Sequence, residues 1–554
     1  MSVQTIKLEI SGMTCEHCAQ TVSKKVSQLN GIISKKVNFP ERKGEFEFDP
    51  SKISKAEIIN TINAIGNYKV VGDIIAGKNG NDKYDLIIIG GGSSAFAAAI
   101  KASELEKKVL MINDGLPIGG TCVNVGCVPS KTLIRTAEQF HIANHPNFSS
   151  IKSGNNKINF EEIIRQKTEL VEELREYKYV DVLKDDSNVT ILKAYGRLID
   201  KNTIVLRTPN GEADGNKYSA EKILIATGST TFVPDIPGLS DVDYLTNETL
   251  YDLEELPEHL IIIGGRYIAL ENAQMFARLG SKVTILQRSF RILPDEMPDV
   301  TETLKKYLEE EGIEIKTGTK IKSVENKNGK VIVNASIKDN NEIIEGTHIF
   351  VATGRKGNTN NYGLEKLGVE FHKQDFIKTN EYMQTSIPNI YAAGDVTGEY
   401  LFVYSAAYEG SLAVANMFGE IKTKKDYSVF PWVIFTDPQV AGVGMDENQA
   451  YENKIDYEVS TIQLADVPRS LAARNTKGFI RLIRNKENDK LIGARILAYE
   501  GSDLLMEISL AIKYGITVKE LKQMFHPYLT LSEGVKLAAI GFEKDVKKLS
   551  CCAV

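Results

Sequence analysis

Apolar positions near the N-terminus change period from one stretch to the next. Lys7-Leu8-Glu9-Ile10 alternates like a half-buried strand, whereas Val22, Val26 and Leu29 recur at helical spacing and stop at Asn30-Gly31. Residues 33–37 and 44–48 predict a hairpin, 54–65 a second helix and 68–71 a closing strand, in the order βαββαβ. Residues 73–83 carry Gly77, Gly80 and several Asn and Asp without apolar period, the composition of a flexible tether. Beyond it, 84–89 reads as a buried parallel strand, followed by Gly90-Gly91-Gly92-Ser93-Ser94-Ala95 and a helix of small residues. The same strand–turn–helix pattern returns at 260–263, Gly264-Gly265-Arg266 and Tyr267 onward. From about residue 427, strands at 428–435, 455–463, 478–484 and 490–497 precede helices over 501–514 and 529–542.

The two repeated turns carry the first chemistry. Gly90, Gly92 and Ala95 fit G-x-G-x-x-A, whose glycines let the backbone approach a pyrophosphate at a helix N-terminus. The next strand, 109–112, ends in Asn113-Asp114, and Asp114 is assigned the ribose contact. In the second turn Gly264 is kept but Arg266 replaces the middle glycine, a side chain able to meet the phosphate itself. The strand after it ends in Gln287-Arg288 rather than in a carboxylate for a ribose 2′-hydroxyl. With Arg291 nearby, this favours a 2′-phosphate and hence NADPH.

Composition narrows the class. The chain has 554 residues, 42% apolar and 25% charged, which is ordinary for a globular protein of several domains. A net charge of −6 without a basic run argues against nucleic acid. No apolar run approaches the ~18 residues a bilayer demands, and the first residues do not form a signal peptide. A cytoplasmic protein without membrane insertion is expected. Its six cysteines fall in three close pairs, Cys15/Cys18, Cys122/Cys127 and Cys551/Cys552. In a reducing compartment such pairs point to redox chemistry or soft-metal binding. Cys15 and Cys18 open a helix whose dipole acidifies thiols into ligands for a thiophilic cation. Adjacent Cys551 and Cys552 cannot easily close an unstrained disulfide but can collect a large soft ion.

Gly12-Met13-Thr14-Cys15-x-x-Cys18 resembles the heavy-metal-associated domain, a ferredoxin-like βαββαβ fold, over residues 1–72. Gly119-Gly120-Thr121-Cys122-x-x-x-x-Gly126-Cys127-x-Pro129-Ser130-Lys131 resembles the redox-active segment of the flavin-dependent pyridine nucleotide-disulfide oxidoreductases. That resemblance implies an α/β architecture with two Rossmann-like domains and an α+β dimerisation domain. It divides the chain into a first FAD-binding part (84–235), an NADPH-binding domain (236–354), a second FAD-binding part (355–426), a dimerisation domain (427–548) and a tail (549–554) after the metal domain and the linker (73–83). It makes Cys122 the outer, interchange thiol and Cys127 the charge-transfer thiolate against the flavin, favoured by Lys131, with Gly120 and Thr121 beside the cofactor. Ala226-Thr227-Gly228 and Ala352-Thr353-Gly354 close the two nucleotide-binding sections, and Asp395 of Ala393-Gly394-Asp395 hydrogen-bonds the ribityl chain. Tyr267 matches the tyrosine that covers the flavin until nicotinamide displaces it, and Glu271 the acid that pairs with Lys131.

Disulfide reductases of this family carry a His-Pro segment in which His protonates the departing thiol and a Glu five residues later orients it. Here His526 lies seven before Glu533, and the slot five before it holds Tyr528, a phenol ill suited to shuttle protons at neutral pH. With the three cysteine pairs, this resembles the mercury-reducing branch of the family. The expectation is reduction of Hg(II) to Hg(0) in a homodimer whose sites are shared across subunits. Hg(II) would arrive as thiol complexes or from mercury-transport proteins and pass from Cys15/Cys18 to Cys551/Cys552 and on to Cys122/Cys127, with Tyr528 lining the inner site. Two alternatives compete. One is a disulfide reductase with an accessory metal domain, the other a Cu(I)-trafficking protein whose flavin part is secondary.

Overall fold

A computed structural model describes residues 3–11, 16–39, 43–65, 69–73, 83–154, 156–207 and 213–548. Strands β1 (Gln4–Ser11), β2 (Ile32–Asn38), β3 (Lys43–Phe48) and β4 (Lys69–Asp73) form an antiparallel sheet in the order β2-β3-β1-β4, with α1 (Glu16–Val26) and α2 (Lys55–Asn63) between them in sequence. Alternation in β1 and β3 turns Leu8, Ile10, Phe46 and Phe48 toward Val22, Val26, Ile58 and Ile62. This is the predicted βαββαβ unit. Cys18 packs half-buried against its core, while Cys15, residues 74–82 of the tether and Cys551/Cys552 lie outside the described residues.

A doubly wound sheet follows. β5 (Lys83–Ile89), α3 (Ser93–Glu104), β6 (Val109–Asn113), α4 (Gly120–Val125), α5 (Cys127–Asn144) and α6 (Phe160–Arg175) lead to β7 (Val189–Lys193), β8 (Tyr195–Leu198), β9 (Thr203–Arg207) and β10 (Ala213–Ile225). The sheet order is β7-β6-β5-β10-β9-β8, parallel from β7 to β10. The later strand Ile390–Ala392 joins β10 in parallel, which brings Gly394 and Asp395 to the same sheet end as the Gly90 turn. A second parallel sheet repeats the idea with β11 (His259–Ile263), α7 (Tyr267–Leu279), β12 (Lys282–Gln287), β13 (Glu314–Thr317) and β14 (His348–Val351), in the order β13-β12-β11-β14. Ligands meet such sheets at the carboxyl ends of their strands. Helix α8 (Val403–Phe418) packs against the first sheet's cover.

The last body is an antiparallel sheet of β15 (Trp432–Ile434), β16 (Gln439–Gly444), β17 (Tyr457–Gln463), β18 (Phe479–Asn485) and β19 (Leu491–Ala498), ordered β15-β16-β19-β18-β17, with α9 (Leu505–Lys513) and α10 (Glu533–Ile540). Two expectations are corrected here. The strand expected at 428–435 shrinks to Trp432–Ile434, because Pro431 has no amide for the ladder. The helix expected from 529 starts at Glu533. Leu529 has φ 62°, and Thr530 Oγ1 accepts from the Glu533 amide while donating to the Pro527 carbonyl, so the loop carries its own hydrogen bonds. No helix among the described residues is long and apolar enough to cross a membrane.

Candidate active site

The redox pair is built by a broken helix. Gly119 and Gly120 take left-handed φ of 97° and 60°, turning the chain into the short α4 that carries Cys122. The chain kinks at Gly126, where a Cβ would meet the Thr121 carbonyl oxygen at 2.8 Å, and restarts as α5 on Cys127. Both cysteines are free thiols. The Cys122 thiol donates to Cys127. That bond, aided by the charge of Lys131 one turn along α5, holds Cys127 down at about 7. The same bond and burial push the Cys122 thiol up. Above neutrality the pair is one thiolate and one thiol, with the thiolate at a helix N-terminus that favours negative charge.

Lys131 Nζ donates to Glu271 Oε2 at 2.6 Å, so the pairing expected between α5 and α7 is present. Glu271 is buried, and its other oxygen accepts from the Phe435 amide at 2.8 Å. Tyr267, first residue of α7, stacks on Phe402 at 6.4 Å with an interplanar angle of 20°, and burial pushes its phenol up. Tyr179 stands in the same site although nothing in the sequence pattern singled it out. A π-turn at Glu176–Val180 aims its hydroxyl to within 3.2 Å of Ser93 Oγ and its ring edge-on to Phe96 at 5.0 Å. Burial and the charges of Cys122 and Cys127 push this phenol up. Its only sequence signal is a tyrosine at the end of an amphipathic charged helix, which is no signal for a site. A π-turn is where helices often carry function.

Two glycine cradles flank the pair, and their unmet groups test whether dinucleotides fit. At the first, Gly90 (φ 133°) presses so close to Ala226 that a Cβ would lie 2.1 Å from its carbonyl oxygen. Gly92 faces Gly120, and a Cβ at Gly228 would meet open space. Ser94 Oγ, in the first turn of α3 close to Ala95, is buried without a protein partner. Opposite it Asp395 accepts from Ser229 Oγ at 2.9 Å, its carboxyl pushed up by burial against the pull of Arg355. An orphaned hydroxyl, bare backbone and a carboxylate suit the pyrophosphate and ribityl chain of FAD. Asn113 donates to the Leu116 carbonyl, while Asp114 accepts from the Gly115 amide. At the second cradle Gly264 (φ 125°) lies against Ala352, and a Cβ at Gly354 would meet open space. Arg266 pairs with Asp295. Arg291 Nη1 is buried without a partner and Arg288 is exposed, a donor set that fits an added phosphate.

Behind the Asp395 turn lies a carboxyl the sequence reading also passed over. Glu409 of α8 is fully buried, accepts from the Gly394 amide at 2.7 Å and from Tyr427 Oη at 2.5 Å, and is pushed up to about 7 by burial. Tyr528 stands 52% exposed in a loop where Phe525 is 100% exposed, and Met524 and Leu529 are exposed beside them. His526 Nε2 lies 2.6 Å from Glu507 Oε1 rather than near Glu533.

The family model for the pyridine nucleotide-disulphide oxidoreductases matches residues 84–410, that for their dimerisation domain 430–539, and that for the heavy-metal-associated domain 7–68. A protein of Lysinibacillus sphaericus named mercuric reductase is 41% identical, with 99% of each chain covered. One of the same name from Staphylococcus aureus is 39% identical over 100% of both chains. Among solved structures, the Cu(II) complex of the HOCl-induced flavoprotein disulfide reductase RclA from Escherichia coli superposes with a TM-score of 0.75 at 28% identity, covering 84% of this chain and 100% of that one.

Proposed function

The chain belongs to the pyridine nucleotide-disulphide oxidoreductase family, and from that membership we propose that it reduces Hg(II) to Hg(0) with NADPH, using FAD and Cys122/Cys127. The observation that carries this reading is the thiolate–thiol pair itself, within a chain akin end to end to mercuric reductases. Two sulfurs in hydrogen-bond contact offer a soft dication the ligands it prefers. In its thiolate form Cys127 binds without losing a proton, whereas Cys122 keeps its proton until an S–Hg bond replaces it and the proton leaves. Bound FAD, re-reduced by NADPH, supplies the two electrons that convert the ligated Hg(II) to Hg(0).

The chain's own residues prepare that event. Gly90, Gly92, Ala95, Gly120, Thr121, Gly228, Asp395 and Asp114 hold the flavin nucleotide; Gly264, Arg266, Gly354 and, at the 2′-phosphate, Arg288 and Arg291 hold NADPH. Tyr267 covers the nicotinamide side, and Lys131, paired with Glu271, keeps a cation beside the ring. Tyr179 and, from the other subunit, Tyr528 present phenols to the incoming metal. The dimerisation domain makes the protein a homodimer, and the exposed side chains of Met524, Phe525, Tyr528 and Leu529 belong to its shared face. Cys15/Cys18 and Cys551/Cys552 relay Hg(II) inward from thiol complexes or a mercury-transport protein in the cytoplasm.

The test is Hg(II)-dependent NADPH oxidation with trapping of volatile metal. Cys122→Ala or Cys127→Ala should lose at least about 100-fold in turnover while binding FAD normally. A Cys127 variant that volatilises mercury at the native rate overturns the reading. Disulfide-dependent NADPH oxidation without mercury turnover would favour the disulfide reductase instead.

A further inference from the structure

The Lys131–Glu271 pair is closed from its far side by a residue the mechanism above leaves unused. While Lys131 Nζ donates to Glu271 Oε2 at 2.6 Å, the Phe435 amide donates to Oε1 at 2.8 Å. Lys131 Nζ also stands 4.8 Å from the centroid of the Phe435 ring. One residue thus grips both partners, the anion with its backbone and the cation with its ring. These three groups come from α5, α7 and the loop between β15 and β16. That loop is itself held: the Asp437 amide donates to Gln274 Oε1 at 2.7 Å, Gln274 Nε2 to the Asp437 carbonyl at 2.8 Å, and Arg278 Nη2 to Asp437 Oδ2 at 2.9 Å. Gln274 and Arg278 follow Glu271 on one face of α7. A polar stripe on a buried helix is costly unless every group is paired, and here each is paired to the segment that carries Phe435.

We propose that Phe435 is a positioning residue for electron uptake by the flavin: its amide fixes Glu271 and its ring fixes and shields the Lys131 cation. The inference rests on the reading that Lys131 and Glu271 lie beside the bound FAD. A cation held in a fixed place, partly shielded from water by the Phe435 ring, favours the gain of electrons by its neighbour. The negative face of the ring supports that charge without adding a competing anion.

The FAD reduction potential, measured by dye equilibration on the holoenzyme, reads this directly. Phe435→Leu keeps the amide and the apolar bulk and removes the ring; Phe435→Met stands in if the leucine variant binds no FAD. The potential should become more negative by about 10 to 30 mV, a two- to tenfold change for a two-electron couple. Phe435→Trp should restore it. In a Lys131→Met background, Phe435→Leu should change nothing further, because no cation is left to position. If Lys131→Met moves the potential and Phe435→Leu does not, the role of Phe435 is overturned while the placement of the pair stands. If Lys131→Met leaves the potential unmoved, both fall. A tryptophan variant displaced as far as the leucine one shows that packing, not the ring, matters, and overturns the proposal too.

Discussion

Lys131 Nζ and Glu271 Oε2 meet at 2.6 Å across 140 residues of sequence, the carboxylate buried on α7 and the ammonium half-exposed on α5. The contact fixes the helix that begins with the thiolate against the helix that begins with Tyr267. Leu133 and Ala137 of the first helix and Ala269, Leu270 and Ala273 of the second share one apolar core, so the ion pair is one corner of a packed interface.

The charge of Lys131 has a measurable consequence one turn away. The long-wavelength absorbance of thiolate against flavin, followed in two-electron-reduced enzyme, should rise with pH through a midpoint at about 7. Lys131→Met removes a charge that favours the thiolate, so the midpoint should move to higher pH by about one unit. A midpoint that stays in place shows that the Cys122 hydrogen bond and the helix N-terminus set the acidity without Lys131.

Deleting residues 1–80 should leave turnover of small-thiol complexes of Hg(II) within about twofold of the intact chain, since the β1–β4 unit has its own core of Leu8, Val22, Phe46 and Ile58. The intact chain should gain an advantage only when small thiols are scarce. Full loss of turnover in a well-folded, FAD-loaded truncate contradicts this division of labour.

Heterodimers locate the shared site. One chain lacks Cys122 and Cys127, the other Cys551 and Cys552. If tail and inner pair meet across the dimer, one of the two sites keeps both pairs, and about half of the native turnover should return by two-fold symmetry. Activity no better than that of either parent, after confirmed subunit exchange, places the relay within one chain.

Glu409 ties stability to pH. Its folded carboxyl sits at about 7, above an ordinary glutamate, because burial penalises the charge. The contribution is therefore fully present below the unfolded value near 4.5 and is lost as pH rises to about 7. Its size is roughly 3 kcal/mol. Glu409→Gln keeps an acceptor for the Gly394 amide and a donor toward Tyr427. It should flatten the fall in melting temperature between pH 5 and 7, as read by calorimetry of the FAD-loaded enzyme. A slope equal to that of the native protein assigns the titration to another group.

What the sequence made legible follows from what has a period or a spacing. The βαββαβ unit, both parallel sheets and the Cys122–Lys131 segment all rest on local patterns. The Lys131–Glu271 pair required the resemblance, since no pattern joins residues so far apart. Tyr179, Phe435 and Glu409 were invisible for the same reason: each acts through a contact made only by tertiary packing. Glu409 in particular sits in an apolar helix, where a lone acid reads as a surface position. The late start of α10 was missed because Thr530 caps a loop that the apolar spacing of 529–542 disguises.

The stripe of Glu271, Gln274 and Arg278 also sets how this molecule comes apart. Pulling the 435–437 loop away would take Asp437 from the buried Arg278 guanidinium and leave it on Glu311 alone; farther along the same seam Arg495 sits between Glu296 and Asp446. Breaking a buried pair on one side costs about 3–5 kcal/mol, so partial opening along this seam is rare. The amides of Phe435 and Asp437, which donate to Glu271 and Gln274, should exchange with deuterium only as fast as the whole body unfolds, despite lying in a loop. Exchange as slow there as in β19 would mark a loop that behaves as core. The nucleotide-binding and C-terminal bodies would then form a single foldon, and a destabilising mutation in one would be felt in full by the other.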